Sequence, residues 1–90
     1  MGSDRDSQRV WFLEWPEALD ITPLSATVKA GRRLWIIRYL KHCKASRQAV
    51  CRVSGRAYLK KVAAEESGQS DHCKAALSWF FTTADSPRPG

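Results

Sequence analysis

Apolar positions along the chain fall into separate groups, and their spacing is helical with no strand-like alternation. Val10, Trp11, Phe12, Leu13 and Trp15 open the series. Pro16 suits the first turn of a short helix running through Glu17 to Asp20, and it disfavours helical geometry at Trp15 before it. Thr22-Pro23 reads as an N-cap followed by proline at the first helical position, so a longer helix is expected from there to about Cys43. At about 100° per residue, Ile36, Tyr39, Leu40 and Cys43 share one sector, with Arg38, Lys41 and His42 opposite. Ahead of Leu34 the pattern fails, because Lys29 and Arg32 fall on the sector of Ile36. The first turns therefore either overhang the core or break near Gly31.

Lys44 to Val53 is polar and basic and reads as a connector with room for a helical turn of its own. A third helix is expected to follow with Ser54 as its cap, Tyr58, Leu59, Val62 and Ala63 on its buried side, and Arg56 and Lys60 on its outer side. Ser67-Gly68-Gln69-Ser70 turns the chain, with Gly68 suited to a left-handed closing position. Asp71 then places a negative charge where the dipole of a fourth helix favours one. On that helix Cys73, Leu77, Phe80, Phe81 and Ala84 cluster on one face, and Trp79 points away toward the N-terminal tryptophans. With no internal repeat, the expected fold is all-α, a small orthogonal bundle of four or so helices. Residues 1–10 read as a flexible N-terminus, 11–84 as the domain, and 85–90, with two prolines and a final glycine, as a linker.

Composition narrows the class. A 90-residue chain makes one domain with a small core, burying about 60 to 65% of its unfolded surface. No apolar run approaches the roughly 18 residues of a membrane span, and the start lacks the layout of a signal peptide, so the chain is read as cytosolic. Met1-Gly2 does not complete a myristoylation motif, because Asp6 stands where Ser or Thr is required. Three cysteines, Cys43, Cys51 and Cys73, cannot all pair and fit reduced thiols. His42-Cys43, Cys51 and His72-Cys73 supply metal-type donors on paper, but adjacent helical residues diverge, and neither a C-x2-C nor an H-x3-5-H spacing is present. No metal and no cofactor is expected.

Charge changes the picture more. The formal net charge is +6, yet from Ile21 through Ala64 there is no Asp or Glu, while eleven Lys and Arg fall in that stretch. Mutual repulsion of these cations makes most sense when a polyanion neutralises them, and double-stranded DNA is the leading partner. Candidate DNA-binding residues are Arg33, Arg38, Lys41, Lys44, Arg47, Arg52, Arg56, Lys60 and Lys61. Arg38 with Lys41 and Arg56 with Lys60 are expected to form one basic surface, with Lys74 off it among acids such as Asp71. A membrane-surface role fits less well, because the cations are spread over several elements. Tyr39 and Tyr58 occupy apolar-face positions, where packing is the expected role. His42 and His72 have no local catalytic motif, so solvated or capping roles are expected.

Arg38-Tyr-Leu-Lys-His-Cys-Lys44, Ser54-Gly-Arg-Ala-Tyr-Leu59 and Ala75-Ala-Leu-Ser-Trp-Phe-Phe81 resemble, in order and spacing, three helices of the SAM-like N-terminal core-binding domain of phage and integron-type integrases, which are tyrosine recombinases. The resemblance covers roughly residues 11–84. It implies a non-catalytic domain that clamps DNA from one side while the catalytic domain of the same parent chain, carrying the nucleophilic tyrosine, closes over the other. It further implies contact with other recombinase protomers on DNA and residence at the bacterial nucleoid. Two other readings stand beside it. One is a free-standing helix-turn-helix regulator, which needs a shorter turn than Lys44 to Val53 suggests. The other is a SAM-type protein-interaction module whose basic face binds an acidic partner.

Overall fold

The computed structural model describes residues 9, 10 and 12–85, and for Asp85 the backbone alone. The expected flexible start, the packing of Trp11 and the expected linker after Asp85 lie outside the described residues. Among the described residues four α-helices follow in order: α1 (Trp15–Asp20), α2 (Ala26–Ser46), α3 (Arg52–Glu65) and α4 (Ser70–Asp85), with a single 3-10 turn (Ser67–Gln69) ahead of α4. There is no strand among the described residues, and the all-α bundle expected from the sequence is what forms.

The first two helices meet differently from the expectation. α1 takes in Trp15 in spite of the following proline, and that side chain packs against the core, which offsets the pre-proline restriction. Thr22 does not cap α2. Its hydroxyl donates to the Leu19 carbonyl at 2.6 Å and so serves the end of α1, while Ser25 accepts from the Val28 amide and starts α2 three residues later than expected. α2 then runs unbroken for 21 residues, about 31 Å, past Gly31, where a Cβ would meet only open space. Its first turns overhang the core and are tied to the end of α1, where Lys29 donates to the Asp20 carbonyl and Arg33 pairs with the Asp20 carboxylate at 3.6 Å. α2 ends at Ser46, one turn beyond the expected Cys43. Arg47 closes it in the left-handed region at φ 55°, and the Arg47 and Gln48 amides donate back to the Lys44 and Cys43 carbonyls.

α3 starts before Ser54, which is therefore not its cap but a buried residue of its first turn. The serine hydroxyl lies 2.7 Å from the Ala49 carbonyl, 2.7 Å from the Tyr39 hydroxyl and 3.2 Å from the Cys51 amide, with the Cys43 and Cys51 sulfurs at 3.9 and 3.7 Å. A serine has one proton to give. Two carbonyls that can only accept are in reach, Ala49 at 2.7 Å and Cys51 at 3.0 Å; the nearer takes that proton, and Tyr39 and the Cys51 amide donate to the serine oxygen. Ala63, expected on the buried side, is exposed, and Leu59 is half-buried. Gly68 sits in the 3-10 turn with no left-handed geometry, because the turn closes through the Ser70 hydroxyl on the Ser67 carbonyl instead.

α4 packs along both α2 and α3 and supplies the largest part of the core: Cys73, Ala76, Leu77, Phe80 and Phe81. These meet Phe12 from the N-terminal segment, Trp35, Ile36, Tyr39 and Cys43 from α2, and Tyr58 and Val62 from α3. The aromatic rings meet tilted or edge-on, with Phe80 to Phe81 at 5.2 Å and Tyr39 to Tyr58 at 5.7 Å. Trp79 is half-buried against Phe12 at 6.2 Å. The Val10 amide donates to the Val50 carbonyl at 2.7 Å, which anchors the N-terminal segment to the α2–α3 connector. No helix among the described residues is long and apolar enough to cross a membrane.

Candidate nucleic-acid interface

α3 is the element around which the cations are arranged. Its 14 residues bury Ser54, Gly55, Tyr58 and Val62, so the opposite side faces solvent. Helical spacing places Val53, Ala57, Lys60 and Ala64 along that outward crest, and all four are exposed. Three of them are short. A groove runs down each flank of the crest.

The groove between α2 and α3, about 400 Å³, has Arg38, Lys41 and Lys61 on its rim and the Tyr58 ring in its wall. Arg38 is held by its guanidinium lying 4.8 Å over the Trp35 ring, a geometry in which the indole face attracts the cation. Glu65 and Glu66 close one end of this groove. His42 also lines it. It is half-buried with its imidazole 4.9 Å from the Tyr58 ring, so the solvated position expected for it is corrected: α3 packs over that side of α2 and covers it. His72 is exposed, as a solvated role requires.

The groove between α3 and α4, about 220 Å³, has Arg52, Arg56 and Lys74 on its rim and Leu59, Leu77 and Phe81 as its floor. Arg52 is half-buried. It donates to the Phe81 carbonyl at 3.4 Å and lies 5.8 Å over the Phe81 ring. Lys74, expected to lie off the basic surface, instead shares a groove with Arg56. Its place follows from the stripe 74–77–78–81, which α4 turns toward α3. The nearby Asp71 says nothing about which face is presented.

The nine candidate cations therefore do not form one patch. Arg38, Lys41 and Lys61 gather on one flank of α3, Arg52 and Arg56 on the other, and Lys60 stands on the crest between them. Lys44 and Arg47 are exposed at the C-terminal end of α2, where cations complement the helix dipole. Arg33 is set apart, about 140° round the helix from Arg38 and paired with Asp20.

The chemistry of the remaining groups is that of a core. Burial raises both tyrosines above the ordinary phenol value, the opposite of activation for nucleophilic attack. Burial also pushes the Cys73 thiol up to about 11, with Arg38 opposing the shift and Glu66 adding to it. All three cysteines are buried free thiols. Among the described residues, no group of three His, Cys, Asp or Glu side chains is placed to hold a metal ion. No protein-family model, curated protein or solved structure matches this chain.

Proposed function

We propose that this domain binds duplex DNA non-catalytically, as the core-binding domain of an integrase-type tyrosine recombinase. The observation that carries the DNA reading is the crest of α3, a row of short side chains with Lys60 in it and cations along both flanks. A major groove is about 12 Å wide and walled by phosphates on both sides. A helix entering it needs a low crest, so that its backbone approaches the base edges, and cations on either side for the two phosphate walls. α3 offers both. Arg38, Lys41 and Lys61 serve one wall, Arg52 and Arg56 the other, and Lys60 faces the bases. The recombinase assignment rests on the sequence resemblance, and the segregated charge supports it.

Duplex binding should weaken steeply with salt. For about five phosphates neutralised, log K should fall against log salt with a slope near −4.5. Arg56→Glu with Lys60→Glu, and separately Lys41→Glu with Lys61→Glu, should each lower affinity at least tenfold, about 1.4 kcal/mol. Arg33→Ala should change it less than threefold. Fluorescence anisotropy on a labelled duplex reads all three, and circular dichroism checks that the helices persist. The proposal fails if both double variants fold and bind like the parent, or if the salt response is flat.

A further inference from the structure

The groove between α3 and α4 has a feature that a phosphate backbone does not use. Its rim carries Arg52, Arg56 and Lys74 with the hydroxyls of Ser78 and Thr82, and no carboxylate is among the described residues that line it, whereas Glu65 and Glu66 line the groove on the other flank of α3. Its floor is apolar, made by Leu59, Leu77 and Phe81. That floor is rigid. The Phe81 ring rests against Gly55 so closely that a Cβ there would lie 2.7 Å from a ring carbon, and Arg52 holds Phe81 from above through its ring and its carbonyl. At about 220 Å³ the groove is smaller than the roughly 300–1,000 Å³ of a cofactor or drug-sized pocket, and it suits one large side chain. Along α3 it extends from Arg52 to Leu59, about 10 Å, or two helical turns of a docked segment.

We infer that this groove docks an acidic protein segment that inserts a single large hydrophobic side chain between α3 and α4, its flanking carboxylates meeting Arg52, Arg56 and Lys74. Such a segment satisfies floor and rim together. DNA satisfies the rim alone and leaves the floor wet, and a neutral amphipathic helix satisfies the floor alone. The inference shares Arg52 and Arg56 with the DNA reading and adds Lys74, Ser78 and the floor, which are not on the crest of α3, so its test turns on those.

The probe is a fluorescein-labelled dodecapeptide with one central Phe flanked on each side by Glu and Ser, titrated with the full chain at low salt. It should bind saturably, and replacing its Phe by Ala should weaken binding at least fivefold. Ser78→Trp, which fills the groove from an exposed position, and Lys74→Glu, which reverses one rim charge, should each weaken peptide binding at least fivefold, and Ser78→Trp, which leaves the charge unchanged, should change duplex affinity less than threefold. Lys41→Glu with Lys61→Glu should leave the peptide within threefold of the parent, so failure of the DNA reading and failure of this one are told apart. Equal binding by the Ala peptide shows charge pairing alone and overturns the inference. So does unaltered peptide binding by a folded Ser78→Trp, or, should that variant unfold, by Lys74→Glu. Loss of duplex affinity in either variant with the peptide unaffected assigns the groove to DNA instead.

Discussion

Removing the two hydroxyls at the α2–α3 corner should cost more together than the sum of their separate costs. Tyr39 and Ser54 are each within reach of the buried Cys51 amide, at 3.3 and 3.2 Å. In Tyr39→Phe the serine still accepts from that amide. In Ser54→Ala the tyrosine does, and its one proton, no longer taken by the serine, turns to the Cys51 carbonyl at 3.0 Å. Each single variant thus forfeits about one net hydrogen bond, roughly 0.5–1.5 kcal/mol. Ser54→Ala recovers part of its loss because alanine is the better helix former by about 0.5 kcal/mol. The double variant leaves the Cys51 amide buried with no acceptor, at about 1–3 kcal/mol for the unsatisfied donor. Against this, the 2.7 Å bond between the two hydroxyls is lost in either single variant and is counted twice in their sum. Because the orphaned donor outweighs one shared bond, the double variant should exceed the sum by about 0.5–1.5 kcal/mol. Urea unfolding followed by circular dichroism at pH 7, with constant m-values, measures the cycle. A double variant equal to or milder than the sum refutes the reasoning, and shows that water or another group reaches the amide.

Gly55→Ala sets a helix-propensity gain of about 1 kcal/mol against the overpacking of Phe81, about 1–3 kcal/mol. Packing should win, with a Tm lower by about 4–8 °C for each kcal/mol of net loss. Arg47→Gly relieves a non-glycine residue at φ 55° and should stabilise the fold by about 0.5–1 kcal/mol, while duplex affinity falls because a cation is removed. Raised thiol and phenol values favour the protonated folded state. Stability is therefore fully present below about pH 9, the ordinary thiol value, and falls as the pH climbs toward about 11, the folded value for Cys73. The urea midpoint should decline across that window, and Cys73→Ala should flatten the decline.

What could be read ahead of the structure was whatever a single helix decides alone. The stripe Cys73, Leu77, Phe80 and Phe81 is buried as its spacing required, and so are Ile36, Tyr39 and Cys43 on α2. The Ile21–Ala64 stretch without acids was visible by inspection. Features shared between two elements were not. Ser54 looks like a cap because it precedes an apolar periodic run, but its hydroxyl satisfies Ala49 and Cys51 across a corner that sequence spacing does not show. Thr22 looked free to start α2 because nothing in the sequence says that the Leu19 carbonyl needs a donor. Division of the cations into two flanks depends on how α2 and α4 are rotated against α3, and periodicity within one helix leaves that rotation open. Lys74 was misplaced for this reason, although the spacing 74–77–78–81 carried the signal.

The polar knot at the α2–α3 corner also bears on the order in which the chain folds. Its members lie at most 15 positions apart, whereas the contacts that seat α4, such as Tyr39 with Phe81 and Phe12 with Phe80, join residues tens of positions apart. Closing a loop costs more entropy as it lengthens, so short-range contacts form before long-range ones. Loop closure alone therefore favours α2 and α3 meeting at their corner first, with α4 docking onto that pair.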